Sequence, residues 1–205
     1  MSPASRRQPK NRSYQRRAVN VRPVLERFLI VCQGTETEPN YFNQFRVPGL
    51  VIQVTSVPRS PYRVVESAIH LRRESEIPYD QVWCVFDRDE TTADEFNNAI
   101  QTAQVNHIQV AYSNEAFELW YLLHFDFVQT GISRNQYILK LGDKLGHPYD
   151  KNSAKTFKEL LDRQGEALRN AAKLLQTYQP LRPHQDNPST QVHLLVEQLN
   201  RFKRW

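Results

Sequence analysis

Apolar positions along this chain follow two periods. The run 27–32 (RFLIVC) has no polar break after its arginine and predicts a buried strand. The run 50–57 (LVIQVTSV) is β-branched and alternating, and predicts a second strand. A third, 81–86 (QVWCVF), is apolar enough to be covered on both faces, and 107–112 (HIQVAY) is a fourth. Between these runs the spacing is helical. Tyr41, Phe42 and Phe45 share one side of 40–47; Val64, Val65, Ala68 and Ile69 mark 62–77; Phe96, Ala99, Ile100 and Ala103 mark 94–105. Beyond Glu115 the pattern is helical throughout, over 116–125, 134–145, 154–178 and 189–202.

This order, β-α-β-α-β-α-β and then helices, predicts an α/β fold with a mostly parallel four-stranded sheet flanked by helices. It divides the 205 residues into an arm (1–26), an α/β core (27–132) and a C-terminal helical extension packed on the core (133–205). Leu160, Leu161, Ala167, Leu168, Ala171, Leu174 and Leu175 should supply most of that packing, while Phe202 and Trp205 are expected at the surface, open to a partner. No run of ~18 apolar residues occurs, so a membrane span is not expected.

Charge alters the picture at one end. Residues 1–27 hold eight basic side chains and one acid, a local charge of +7, whereas the remaining 19 basic and 21 acidic residues leave −2. The excess is an arm, and its composition predicts flexibility when free. Arg6, Arg7, Lys10, Arg12, Arg16 and Arg17 fit nucleic-acid phosphates, or serve as a solubilising tail. The two cysteines, Cys32 and Cys84, lie in apolar runs without metal-ligand spacing, which argues for buried thiols of a cytoplasmic protein.

In parallel sheets, sites form at the carboxyl ends of the strands. Three segments are selected. The turn after Cys32 carries Gln33, Gly34, Glu36 and Glu38. The turn after Phe86 carries Asp87, Asp89 and Glu90, whose mutual repulsion a divalent cation would relieve. The segment after Tyr112 carries Glu118, which either binds metal or pairs with an arginine, and His124, which reads as a hydrogen-bonded histidine at the edge of the core. All-oxygen donors suit Mg²⁺ or Mn²⁺. Helix capping and solvation account for the same acids without metal. Lys144, Lys151, Lys155 and Lys158 read as solvated helix charges, or as a basic rim to a groove.

Four blocks in order carry a resemblance. They are 28–42 (FLIVCQGTETEPNYF), 82–89 (VWCVFDRD), 113–125 (SNEAFELWYLLHF) and 187–190 (NPST). Together they resemble the RloB family, also known through the second component of the abortive-infection system AbiL. The resemblance runs from about residue 12 to 202. It implies a Toprim-like α/β sheet, metal-dependent cleavage of nucleic acid (DNA or RNA) in phage defence, and an AAA- or ABC-type ATPase partner. It also implies site residues. Asp87 and Asp89 match the Toprim Asp-x-Asp, Glu118 the Phe-Glu-Leu-Trp block, and Glu38 the acid that closes the first block. Gln33 stands where the family usually has glutamate.

Glutamine keeps a carbonyl oxygen but neither neutralises a cation nor accepts a proton as a base. Three consequences stay open: a slow enzyme, one that uses Glu36 or Glu38 instead, or an inactive one. The expectation is therefore a Mg²⁺- or Mn²⁺-dependent nuclease whose metal ligands come from Glu36, Glu38, Asp87, Asp89 and Glu118. The alternative is a non-catalytic subunit that binds nucleic acid or the ATPase. Monomer and homodimer both stay open.

Overall fold

The computed structural model describes residues 25–89, 91–153 and 155–202. The arm residues Arg6, Arg7, Lys10, Arg12, Arg16 and Arg17, together with Glu90 and Trp205, lie outside them.

The chain is an α/β protein built on one sheet. Strands β1 (Glu26–Cys32), β2 (Leu50–Ser56), β3 (Gln81–Asp87) and β4 (Gln109–Asn114) run parallel in the order β2-β1-β3-β4. Helices α1 (Thr37–Phe42), α2 (Pro61–Glu74) and α3 (Ala93–Val105) make the three crossovers, and α4 (Glu118–Leu122) follows β4.

The sheet has five strands rather than the four expected. The fifth, β5 (Ser189–Thr190), is two residues long and pairs antiparallel with the end of β4, Ser113 opposite Thr190 and Asn114 opposite Ser189. Such a stub has no periodicity to read. Its side chains hold it in place: the Thr190 hydroxyl donates to the Tyr112 carbonyl at 3.0 Å, and the Asn114 amide donates to the carbonyls of Pro183 and Asp186. The last two residues of the β4 edge are thereby covered.

The period-2 pattern of the central strands becomes two cores. Phe28, Ile30, Cys32, Trp83 and Val85 face one side; Leu29, Val31, Val82, Cys84 and Phe86 face the other. Helices α2 and α3 cover the second face through Val64, Val65, Ala68, Phe96, Ala99 and Ala103. The first face is covered by α1, α4 and the helices that follow: α5 (Arg134–Leu145), α6 (Lys155–Leu160), α7 (Gln164–Gln176) and α8 (Val192–Asn200). Tyr137, Leu141, Leu160, Ala167, Leu174 and Leu195 thus share one core with the sheet. Tyr41 lies at its centre, with the rings of Phe42, Phe45, Phe117, Trp120 and Phe157 set edge-on around it.

Several element bounds differ from expectation. The helix expected over 40–47 is the six-residue α1, which starts three residues earlier and stops at Phe42. Strand β4 runs Gln109–Asn114, two residues later than read, because His107 takes a positive φ of 55° in the turn that leads into it. The helix expected over 154–178 is broken by a 3-10 turn at Leu161–Arg163, so α6 and α7 are separate. The segment 189–202 opens as β5 before it becomes α8. Phe202, expected at the surface, packs edge-on against Phe28 with ring centroids 6.0 Å apart.

Candidate metal centre

Parallel strands deliver their carboxyl ends to one edge of the sheet, and the candidate residues meet there. Gln33, Gly34, Glu36 and Glu38 after β1, Asp87 and Asp89 at the end of β3, and Glu118 at the start of α4 line one cavity of 260 Å³. Two cations complete the lining, Arg134 from α5 and Lys151 from the loop after it. A larger open groove of 790 Å³ runs between α2 and α3, but its lining, Asp94, Glu95 and Asn98 among others, holds no buried charge.

The first turn is shaped by Gly34. The Glu38 carboxylate folds back over it, and the Gly34 N–H donates to Glu38 Oε1 at 3.3 Å. A Cβ on residue 34 would lie 2.1 Å from Glu38 Oε2, so only glycine leaves the carboxylate its place. Glu38 is 5% exposed, whereas Glu36 stands exposed at the rim. Gln33 is tied differently. Its Oε1 accepts the N–H of Asp87 at 3.1 Å, so the amide braces the end of β3.

Asp87 is 8% exposed and Glu118 3%. Asp89 adopts a left-handed φ of 31°, a conformation that aspartate tolerates better than most residues, and its N–H donates to the Glu115 carbonyl at 3.1 Å. This turn brings its carboxylate back beside Asp87. Both acids meet Arg134: Nη2 lies 2.8 Å from Asp87 Oδ2, and Nη1 lies 2.9 Å from Asp89 Oδ2. Asp87 Oδ1 is buried without a well-formed hydrogen bond, although the Phe117 backbone N–H lies close enough to the carboxyl to favour its charged form.

Burial, and next the carboxylate of Glu38, push the Asp87 carboxyl well above the usual carboxylate range; Arg134 opposes this and Glu118 adds to it. Burial also pushes Glu38 up, against the backbone N–H groups of Glu38 and Gly34 that favour its charged form. For Arg134, burial disfavours the cation, but Asp87, Asp89, Glu118 and Glu38 outweigh it and raise the pKa. Five carboxyl groups and two basic side chains thus share the cavity lining.

Oxygen donors and a buried Asp87 Oδ1 without a well-formed partner are what a hard divalent cation takes. Among the described residues, no three His, Cys, Asp or Glu side chains are placed to hold one ion together. That is compatible with Mg²⁺, which takes one or two carboxylates and completes its shell with water and substrate phosphate. The guanidinium of Arg134 bridges Asp87 and Asp89.

A family model described as RloB-like protein matches residues 28–199, most of the chain. The chain belongs to the RloB-like family. No curated protein and no solved structure matches it significantly.

Within this RloB-like chain, the four sequence blocks play different parts. The first three supply the cavity. The fourth, 187–190, holds β5 and pairs it with the last two residues of β4. His124 stands apart from the cavity: its Nδ1 donates to the Trp120 carbonyl at 2.9 Å, as expected of a core-edge histidine. Of the basic rim residues, Lys151 lines the cavity, while Lys144 pairs with Asp126 at 2.6 Å.

Sequence reasoning passed over Arg134. One signal was present. Ser133 and Gln136 form a capping box, which makes Arg134 the first residue of α5. A cation there opposes the helix dipole by about 0.3–1 kcal/mol, which calls for an anion from elsewhere in the fold.

Proposed function

We propose that this RloB-like protein is a Toprim-type, divalent-metal-dependent nuclease that acts in phage defence beside an AAA- or ABC-type ATPase. One observation carries the reading. Asp87, buried and with Oδ1 lacking a well-formed partner, sits among the carboxyl groups of Glu38, Glu118 and Asp89 at the carboxyl edge of the sheet.

Asp87 and Asp89 would hold Mg²⁺ or Mn²⁺, with Glu118 and Glu38 behind them and Glu36 at the rim. Bound there, the ion supplies Lewis-acid stabilisation of the attacking and leaving oxygens of a phosphodiester. The chain's own residues do the rest. Gln33 braces the Asp87 backbone, and the Gly34 N–H holds the Glu38 carboxylate toward the cavity. Glu38, whose pKa is raised, is the best-placed group to accept a proton from attacking water. Lys151 faces the incoming phosphates, and the arm residues Arg6, Arg7, Lys10, Arg12, Arg16 and Arg17 hold the backbone without reading bases. We place the protein in the cytoplasm, where free thiols such as those of the buried Cys32 and Cys84 stay reduced. Among the described residues no helix is long and apolar enough to cross a membrane.

The test is cleavage of labelled tRNA, single-stranded and duplex substrates with Mg²⁺ and Mn²⁺. Activity should rise with Gln33→Glu and vanish with Asp87→Ala. No cleavage by any form, with an ATPase partner supplied, would defeat the reading.

Gln33 favours a second reading, a non-catalytic subunit that binds nucleic acid or the ATPase. Its neutral amide is already engaged by Asp87. This reading expects no change in melting temperature across millimolar Mg²⁺, where an occupied site would stabilise the fold in proportion to ion concentration over Kd.

A further inference from the structure

Arg134 and Asp87 form an ion pair that is half filled on both sides. Asp87 uses Oδ2 for Arg134 and leaves Oδ1 buried without a well-formed partner. Arg134 uses Nη1 and Nη2 for Asp89 and Asp87 and leaves Nε buried without a partner. A structural salt bridge fills the remaining valences of both groups, because an unsatisfied buried polar atom costs about 1–3 kcal/mol. Here the two open positions have opposite needs. Asp87 Oδ1 lacks a cation or a well-formed donor beyond the nearby Phe117 N–H, and Arg134 Nε–H lacks an acceptor.

The geometry of the side chain adds to this. Arg134 lies at the first turn of α5, where the helix dipole disfavours a cation, and about a third of its side chain is exposed. Its guanidinium is held by the Asp87 and Asp89 carboxylates, the same groups a divalent ion would use. Its planar fork suits bidentate contact with a phosphate as well as with carboxylates.

Resting on the nuclease reading above, we propose that Arg134 is an exchangeable internal counter-ion. Without metal it bridges Asp87 and Asp89 and holds the place of the cation. When the divalent ion arrives on Asp87 and Asp89, Arg134 leaves them and takes a phosphate oxygen of the nucleic acid. One residue thus opposes metal binding and favours substrate binding. The metal-free protein keeps its carboxylates paired, and the guanidinium becomes available to phosphate only once the ion is in place.

Two titrations of the full chain test this. The first measures Mn²⁺ affinity by electron paramagnetic resonance for the native protein, Arg134→Met and Arg134→Lys. The second measures the affinity of a fluorescent single-stranded oligonucleotide with Ca²⁺ at saturation. Arg134→Met should bind Mn²⁺ about tenfold tighter, since a cation adjacent to the ion is gone. It should bind the oligonucleotide about tenfold more weakly. Arg134→Lys keeps the charge without the fork; it should recover part of the oligonucleotide affinity. A merely structural role would weaken both affinities together. Mn²⁺ binding by Arg134→Met that is unchanged or weaker overturns the counter-ion role, and unchanged oligonucleotide affinity overturns the phosphate role. Absence of Mn²⁺ binding in all three proteins overturns the nuclease reading itself.

Discussion

Gly34 owes its place to the side chain folded over it. A methyl group at that position would meet the Glu38 carboxylate, the free end of a flexible side chain, rather than backbone. Gly34→Ala should therefore fold, with a melting temperature close to that of the native protein, while displacing Glu38 from the cavity. Metal affinity and cleavage would fall together; a native Mn²⁺ affinity in Gly34→Ala would show that Glu38 does not support the ion. Gln33 sits one residue earlier and behaves differently. A glutamate there can accept the same Asp87 N–H, so the backbone brace survives. It also adds a sixth carboxyl group to a cavity already lined by five. Gln33→Glu should melt lower than the native protein without metal and gain more from millimolar Mg²⁺. Equal Mg²⁺-induced shifts in the two proteins would contradict this. The first turn was legible in the sequence as an acidic, glycine-containing loop. Which of its acids turns inward was not, because Glu36 and Glu38 differ in burial only once α1 begins at Thr37.

Helix α5 shows how an element aims a side chain. The Ser133 hydroxyl accepts the Gln136 N–H at 3.4 Å, and Gln136 Oε1 accepts the Ser133 N–H at 2.9 Å. This box starts the helix at Arg134 and directs that residue at the end of β3. Losing the cap should cost about 1 kcal/mol. In Ser133→Ala we expect a small drop in stability by urea unfolding. We also expect a tighter Mn²⁺ site, since Arg134 is less firmly held on Asp87 and Asp89. A drop in stability with unaltered metal affinity would separate the cap from the site. The boundaries of α5 could be read from spacing, because the capping box and the left-handed Gly146 at its end are local signals. The break at Leu161–Arg163 and the stub β5 could not. Neither has a periodicity of its own, and both depend on what they pack against.

For the molecule as a whole, two buried histidines link stability to pH. Burial lowers the pKa of His124 to about 4, against the Trp120 and Tyr121 backbone groups that favour its charged form. Burial lowers His193 to about 4 as well. Both rings are neutral in the fold and titrate near 6.5 when unfolded. As pH falls below about 6.5, protons bind the unfolded chain first. Stability is thus full above that value and declines until about pH 4, on the order of 3 kcal/mol for each ring. Glu38 and Asp87 act in the opposite sense: their raised pKa values favour the fold at low pH, a contribution lost as pH rises through their folded values. Urea unfolding at pH 7.5, 6 and 5 should show the native protein losing stability faster than the double variant His124→Asn, His193→Asn. Parallel pH dependences would rule out the histidines as the cause.

The alternation of strands and helices was determined by the sequence itself, because period-2 and period-3.6 burial are properties of a few consecutive residues. The double-sided burial of β1 and β3 follows from their unbroken apolar runs. The acids at the strand ends were legible for the same reason, since a parallel sheet sends every carboxyl end to one edge. Only the tertiary structure decided which charges meet there. Asp87 and Arg134 are 47 residues apart in the chain, and Gln33 and Asp87 are 54 apart. No local spacing encodes such pairs. They exist because β1 and β3 lie side by side and because α5 packs on the face of the sheet that α1 and α4 also cover.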